Sequence, residues 1–225
     1  MSVNFPEFLP VASEPSPRHP GGRGGIYRHR WKRALDVALV LAAAPFVAPL
    51  VLGLALAVRR DGGPAFFCQE RIGAGGRVFH MWKLRSMVAD ADARLAQHLQ
   101  GNPAARAEWD RTQKLRHDPR VTPFGHLLRK SSMDELPQLW NVLLGDMSLV
   151  GPRPMMTDQR ALYPGIAYYR LRPGITGPWQ TSGRNATSFA ARAEYDAAYD
   201  RDLSLGTDLA LLARTVRVVL RGTGC

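Results

Sequence analysis

The segment RKSSMDELPQLWNVLLGDMSLVGPRP, Arg129–Pro154, carries the pattern around which this chain is organised. Apolar residues recur at helical spacing over residues 136–144, and Gly145 follows as a stop signal, so we predict a helix here. Two adjacent carboxylates, Asp134 and Glu135, open that helix and therefore lie at the positive end of its dipole. We expect the dipole and nearby cations to keep Asp134 ionised.

Basic residues surround this acidic pair in the sequence. Arg129 precedes it, Arg153 follows on the stiff loop Gly-Pro-Arg-Pro, and Arg172 begins a second loop rich in Pro and Gly. Arginine forks hold phosphate oxygens in a fixed orientation, and ionised acids beside cations suit metal- and phosphate-centred chemistry. Lys83 and Arg85 are weaker candidates for phosphate contacts. On these residues alone, an ordinary acidic helix start with solvated surface arginines remains an open interpretation.

The composition points to an anionic partner. The chain has 225 residues, 45% of them hydrophobic, and a net charge of +11. This length allows one compact domain with an appendage. The charge indicates nucleic acid, a phosphorylated substrate or an anionic membrane face. Only two cysteines occur, Cys68 and Cys225, which excludes a disulfide framework or a cysteine-rich zinc site and fits a reducing cytosolic setting.

An uncharged apolar run, Val37–Val58, is long enough to cross a bilayer, for which about 20 residues suffice. Pro45 and Pro49 interrupt the run and favour a kink. Basic residues flank both of its ends, whereas a spanning helix leaves its excess of Lys and Arg on one side. We therefore predict a re-entrant membrane helix over residues 28–60 that enters and leaves the same leaflet. A plain spanning helix and a buried helix of a soluble protein remain open alternatives.

The segments on either side of this helix complete a three-part chain. Residues 1–27 are rich in Pro, Gly, Ser and Arg without apolar periodicity, which predicts a disordered basic arm. Residues 61–225 supply the globular domain. Asp36 is an unusual charge at the entrance of the apolar run, and we expect it to pair with Lys32 or Arg33.

The globular domain is predicted to be α+β and mostly helical. A glycine-rich turn joins short strands at 65–69 and 78–82 into a β-hairpin. Ser86 is expected to cap the first of several helices, which we place at residues 86–100, 104–116, 124–130, 156–162 and 208–221. In the third of these helices, Phe124, Leu127 and Leu128 are expected to face inward. In the last, Leu209, Leu212, Val216 and Val219 recur at helical spacing. The last helix also carries an arginine stripe, so it either lies on anionic lipid or packs on the core.

Taken together, these motifs resemble the monotopic (small) phosphoglycosyl transferases, the bacterial sugar transferases that initiate exopolysaccharide, capsule and glycoprotein glycan assembly. The resemblance extends from Lys32 to about Arg221. Its blocks, in order, are Lys32–Asp36, Ala48-Pro49, Phe67–Arg71, Lys83–Met87, Arg129 with Ser132–Leu139, Gly145–Pro154 and Arg172–Gly177.

The resemblance implies a specific reaction. Such enzymes transfer a phosphosugar from a UDP-sugar, here expected to carry a hexose such as galactose or glucose, to undecaprenyl or another polyprenyl phosphate and release UMP. The motif aspartate, here Asp134, is the nucleophile and forms a covalent phosphosugar intermediate. Magnesium is the implied cofactor, with Asp134 as its protein ligand. Glu135 takes a supporting catalytic role in orientation, metal contact or proton handling.

The resemblance also implies a location and a set of partners. Residues 61–225 become a cytoplasmic catalytic domain with amphipathic surface helices, held monotopically at the bacterial inner membrane by the re-entrant helix. The family places a Ser-Pro kink where this chain has Ala48-Pro49, and Pro45 is expected to compensate for the missing serine. Anionic inner-membrane lipids and downstream glycosyltransferases are the further partners, and nucleic acid is not one. Charge alone would also suit a membrane-tethered nucleic-acid-binding protein, and a non-catalytic scaffold is a third hypothesis. Both leave Asp134 and Glu135 unexplained.

Overall fold

The computed structural model describes residues 25–112, 115–182 and 189–220. Most of the predicted basic arm, residues 1–24, lies outside the described residues, as do 113–114, 183–188 and 221–225. Residues 25 and 26, which the prediction included in the arm, are helical. The helices are α1 (Lys32–Val58), α2 (Ala91–Gly101), α3 (Pro103–Thr112), α4 (Pro123–Lys130), α5 (Gln138–Leu144), α6 (Ala167–Arg170), α7 (Pro178–Ser182), α8 (Arg192–Asp202) and α9 (Leu205–Leu220). The strands are β1 (Phe66–Ile72), β2 (Val78–Leu84), β3 (Ser148–Val150) and β4 (Gly174–Thr176).

The mostly helical α+β class and the β-hairpin predicted from the sequence are confirmed. Strands β1 and β2 pair antiparallel, with Phe66 opposite Leu84 and Ile72 opposite Val78. The turn between them uses Gly75 and Gly76 at positive φ, a conformation that side chains with a Cβ rarely adopt. Both strands extend a residue or more beyond the predicted segments.

A second, parallel pair of strands was not predicted. Strand β3 leads into the Gly151–Pro154 loop, and β4 follows the loop that begins at Arg172. The Gly151 N–H donates to the Thr176 carbonyl at 2.8 Å. The two loops approach so closely that a Cβ on Gly151 would overlap the Arg172 carbonyl oxygen. This pairing places the two stiff loops, which are distant in sequence, side by side.

The first predicted helix of the globular domain begins five residues late. We expected it at residue 86 with Ser86 as its cap, and this was wrong, because α2 begins at Ala91. The chain around Ser86 pairs instead with the segment before α4. The Thr122 N–H donates to the Ser86 carbonyl at 3.1 Å, and Met87 forms an antiparallel bridge with Val121. Backbone groups used in this pairing are not available to a helix.

Several other expectations need smaller corrections. The helix predicted over 104–116 does not include Leu115 and Arg116, and the one predicted over 156–162 is a 3₁₀ turn, Thr157–Leu162. In α4, Leu128 is buried as predicted, but Leu127 is exposed. In α9, the apolar face is divided: Leu212 packs against a core cluster, whereas Leu209 is exposed and Val216 is 60% exposed; the side chain of Val219 lies outside the described residues. The buried face of α9 centres on Asp208 and Leu211.

Both ends of α1 pack against the same domain. Near its start, Val40 joins a core cluster with Phe79 and Val142; near its end, Val58 packs with Leu84 and Leu128. The middle is open, and the largest side chain there, Phe46, is 79% exposed. The segment Lys32–Asp61 is the one helical segment of the described chain that is long and apolar enough to cross a membrane. Helix α1 continues through Pro45 and Pro49, so these prolines do not end it.

Hydrogen bonds from distant parts of the chain hold the start of α1. The sequence suggested that Asp36 pairs with Lys32 or Arg33. The charge of Lys32 does act on Asp36, but the hydrogen bonds of Asp36 come from other residues. Its carboxylate accepts from the Ser148 hydroxyl at 2.7 Å and from the Leu149 N–H at 3.1 Å. Lys32 instead donates to the buried Asp208 carboxylate at 2.7 Å, and Arg33 donates to the last carbonyls of α5. These contacts fasten the apolar helix to α5, β3 and α9.

Candidate functional site

The acidic pair lies in a 3₁₀ turn, Met133–Glu135, between α4 and α5. Ser132 enters this turn at φ +57°, the one positive φ of a non-glycine residue in the described chain. Helix α5 begins only at Gln138 and ends at Gly145, as the stop signal predicted. The carboxylates therefore precede the helix by about a turn instead of opening it. The turn buries Asp134, whose side chain and backbone together are 8% exposed.

Cations from two other elements approach this turn. Lys83, near the end of β2, donates to Glu135 Oε1 at 2.8 Å. Arg129, near the end of α4, donates from Nε to the Ser86 hydroxyl at 2.9 Å. The charges of Lys83 and Arg129 both act on Asp134. The buried Ser86 does not cap a helix, as was predicted, but accepts this hydrogen bond and so helps to hold Arg129 near Asp134.

Burial raises the pKa of Asp134 above the ordinary range of an aspartate. Lys83 and Arg129 oppose this rise because a positive charge favours the ionised form, whereas Glu135 adds to it. The sequence led us to expect that a helix dipole and arginines would keep the acid readily ionised. In the structure, loss of water around the carboxylate raises its pKa by more than the nearby positive charges lower it, so ionisation is less favoured than in a solvated aspartate.

An open cleft beside the turn gathers three of the residues that the sequence singled out. Lys83, Glu135 and Arg153 line it together, and they come from β2, the acidic turn and the Gly151–Pro154 loop. The Arg153 guanidinium also lies over the Trp179 ring, 5.9 Å from its centroid. Asp134 does not itself line the cleft, but it directly precedes Glu135, which does. A cleft with cations near a buried carboxylate suits the binding of a phosphorylated group close to a nucleophile.

Three predicted phosphate ligands, Arg85, Arg129 and Arg172, do not line the cleft, and Arg129 donates to Ser86 instead. The buried Arg85 guanidinium donates to the Pro64 carbonyl at 2.6 Å, to the Val58 carbonyl at 3.2 Å and to the Asp61 carboxylate. Arg85 therefore clamps the end of α1 to the hairpin, and we no longer propose that it binds phosphate. Arg172 is exposed on the neighbouring loop and does not line the cleft.

Sequence reasoning missed several residues of the cleft. Arg71 of β1, Gln138 at the start of α5 and Gln180 of α7 also line it. Both glutamines are buried, which is unusual for that residue type. Arg71 lay in one of the quoted motif blocks and could have been suspected, since a charge midway along a half-buried strand needs a partner. Gln138 also lay in one of these blocks, Ser132–Leu139, whereas Gln180 gave no such signal.

A divalent cation would have few protein ligands here. No group of three or more His, Cys, Asp and Glu side chains that could hold a metal ion occurs in the described residues. Magnesium, however, is often held by one or two carboxylates together with the phosphates of a substrate. The buried carboxylate of Asp134, beside a cleft fit for phosphates, is compatible with that mode.

Comparisons with known proteins agree on one family. The profile of the family described as bacterial sugar transferase matches residues 27–222. The chain is 45% identical over 195 residues to a UDP-galactose-lipid carrier transferase of Erwinia amylovora and 44% identical over 195 residues to an undecaprenyl-phosphate galactose phosphotransferase of Salmonella typhimurium. Each alignment covers 86% of this chain but only 41% of the relative, so the chain spans less than half the length of these two relatives. The exopolysaccharide production protein ExoY of Sinorhizobium fredii is 44% identical over 196 residues, which cover 86% of this chain and 87% of that protein.

Proposed function

Because this chain belongs to the bacterial sugar transferase family, we propose that it transfers a sugar 1-phosphate from a UDP-sugar to undecaprenyl phosphate and releases UMP. The names of its relatives support this substrate pair and favour galactose as the sugar. The similarity to ExoY supports a place at the first membrane step of exopolysaccharide synthesis. The observation that carries the proposal is the buried Asp134 beside a cleft with cations.

In the first step, a carboxylate oxygen of Asp134 attacks the β-phosphorus of the UDP-sugar. The bond from this phosphorus to the bridging oxygen breaks, and UMP leaves with that oxygen. The sugar phosphate remains on Asp134 as an acyl phosphate. In the second step, a phosphate oxygen of the lipid attacks the same phosphorus, and the Asp134 carboxylate departs. Two such displacements split the transfer into two reactions at one nucleophile.

The neighbouring side chains take separate roles in these steps. Lys83 and Arg129 favour the ionised form of Asp134, which is the form that attacks. Arg153 contacts the phosphates of the substrate from the opposite loop. Glu135 accepts a hydrogen bond from Lys83, so its proposed role is to orient that cation next to Asp134. Of the three roles that the sequence left open for Glu135, this hydrogen bond supports orientation.

Magnesium is the proposed cofactor. Asp134 would hold it together with phosphate oxygens of the UDP-sugar, in the mode that uses few protein carboxylates. When bound, the ion would neutralise the charge of the diphosphate, which otherwise repels an anionic nucleophile.

The contacts of α1 support a re-entrant membrane helix. Its start and its end both pack on one domain, so a spanning orientation would force that domain through the lipid. We propose that the exposed apolar middle dips into the cytoplasmic leaflet of the bacterial inner membrane and that the domain faces the cytoplasm. Anionic lipids and downstream glycosyltransferases are the further partners proposed. This placement brings the site to the depth of the lipid phosphate.

The test is UMP release from a UDP-sugar in the presence of undecaprenyl phosphate and Mg²⁺. Asp134→Asn keeps the shape of the side chain but removes the nucleophile, so we expect turnover to fall by roughly 1000-fold or more. The exposed Asp202→Asn is the matched control and should keep native turnover. With a label on the β-phosphate of the UDP-sugar, the native protein should retain the label covalently, whereas Asp134→Asn should not. Native turnover in Asp134→Asn would contradict the mechanism.

A further inference from the structure

Three arginines from separate elements meet at the edge of the cleft: Arg71 and Arg153 line it, and Arg192, which does not line it, lies over the same Trp179 ring as Arg153. Arg71 lies on β1, Arg153 on the loop after β3 and Arg192 at the start of α8. Within the described residues, none of the three forms an ion pair with a carboxylate. Buried or half-buried guanidinium groups usually have such a partner. The charges of Asp158 and Glu135 act on Arg71 and that of Asp196 acts on Arg192, but none of these carboxylates is within ion-pair distance of the cluster.

Two of these guanidinium groups also have an unused donor. Arg71 donates from its terminal nitrogens to Gln69 Oε1 at 2.6 Å and to the Pro154 carbonyl at 3.4 Å, but its buried Nε has no partner in the described chain. The buried Nε of Arg192 likewise has none. Buried donors without acceptors are rare in folded proteins and call for an explanation such as a missing ligand.

The Trp179 ring connects two members of the cluster. Arg192 lies 4.2 Å and Arg153 5.9 Å from the centroid of this ring. Cation–π contacts of this kind fix the planes of the guanidinium groups without using their N–H donors. The donors therefore remain available for another ligand.

The arginines also repel one another. Burial, followed by the charge of Arg153, lowers the pKa of Arg71 to about 10 and that of Arg192 to about 10. Three positive charges close together in a partly buried environment raise the free energy of the folded protein. An anion bound among them would relieve this repulsion and accept the unused hydrogen bonds.

We propose that Arg71, Arg153 and Arg192 together form a phosphate-binding site at the edge of the cleft that contains Lys83 and Glu135. The ligand is a phosphate or diphosphate group of one of the two substrates of the proposed transferase, so this inference rests on the proposed function. Both the diphosphate of the nucleotide donor and the phosphate of the lipid acceptor have the required chemistry. Forked guanidinium groups from three elements would fix the orientation of that group.

Direct binding tests this site without turnover. UDP and farnesyl phosphate are titrated separately into the purified full chain in detergent, in a buffer without divalent cations, by calorimetry. Arg71→Gln and Arg192→Gln should each weaken binding of one of these probes by about 10- to 100-fold, the effect of losing a charged hydrogen-bond partner. The exposed Arg201→Gln, on the same helix as Arg192, is the matched control and should bind as the native protein does.

The two probes identify the source of the phosphate. Weaker binding of UDP assigns the site to the nucleotide, and weaker binding of farnesyl phosphate assigns it to the lipid. If Arg71→Gln and Arg192→Gln have the same unfolding temperature as the native protein and bind both probes with native affinity, the proposal is overturned. Arg192→Lys keeps the charge and the stacking but loses the fork, so it provides a folded variant with intermediate affinity even if Arg192→Gln is unstable. If the variants bind the probes more weakly but the native protein never releases UMP, the phosphate-binding site stands and the proposed function is refuted instead.

Discussion

At the scale of single residues, burial decides which charges can act. Asp134 and Arg85 were both candidate site residues in the sequence. The structure leaves Asp134 beside a cleft with a raised pKa, and it encloses Arg85 among carbonyl groups and Asp61. One side chain can therefore react, while the other holds two elements together.

The pH dependence of the first chemical step should report the pKa of Asp134. Only the ionised carboxylate attacks, so the rate should fall as the pH decreases through this raised pKa. Lys83→Met removes a positive charge that favours ionisation, so it should raise the pKa further and move the acid limb to higher pH. The measurement is single-turnover UMP release without lipid acceptor, which keeps the titration of the lipid phosphate out of the assay.

The matched control for this experiment is Lys130→Met, because Lys130 is exposed at the end of α4. Its acid limb should coincide with that of the native protein. If the acid limb of the pH–rate profile of Lys83→Met stays in place or moves to lower pH, Lys83 does not favour the ionised form of Asp134.

At the scale of elements, a buried polar side chain joins the helix after the acidic turn to the hairpin. Asn141 of α5 is 0% exposed. Its Oδ1 accepts from the Trp82 N–H at 3.0 Å, and its Nδ2 donates to the His80 carbonyl at 2.7 Å. These two bonds dock α5 on β2, the strand that carries Lys83, and so they set the distance between Lys83 and the acidic turn.

Replacing Asn141 by Ala should destabilise the fold by about 2–4 kcal/mol, because it removes two hydrogen bonds and leaves a backbone donor and acceptor without partners. Equilibrium unfolding by urea in detergent measures this loss. Gln97→Ala, at an exposed position of α2, is the control and should change the unfolding free energy by no more than about 0.5 kcal/mol. A similarly small change for Asn141→Ala would mean that the two bonds do not hold α5 in place.

At the scale of the whole molecule, α1 and the domain form one body. Lys32 and Asp36 at the start of the helix bond to Asp208 and to Ser148, and Arg85 clamps its end through the Val58 carbonyl. An apolar helix fastened at both ends to one domain cannot carry that domain to both sides of a membrane. The proposed topology follows from these contacts together with the exposed apolar middle.

Cysteine labelling tests this topology. Arg30→Cys and Arg60→Cys place single thiols at exposed positions on either side of the apolar run, in a chain whose two native cysteines are replaced by serine. An impermeant maleimide should reach both thiols from the cytoplasmic side only. Asp202→Cys, on the domain itself, should give the same pattern as a control. Labelling of residues 30 and 60 from opposite sides would contradict the re-entrant arrangement and support a spanning helix.

Local pattern and composition were enough to predict the apolar helix with basic flanks, the hairpin, the glycine that ends α5, and the family, because each depends on residues close together in the chain. The tertiary structure decided which residues meet. It paired Asp36 with Ser148, turned α9 so that Asp208 faces inward, enclosed Arg85, and brought Arg71 and Arg192 toward Arg153. These outcomes depend on burial and on contacts between segments far apart in sequence. Asp134, conspicuous in the sequence, owes its raised pKa to the same burial.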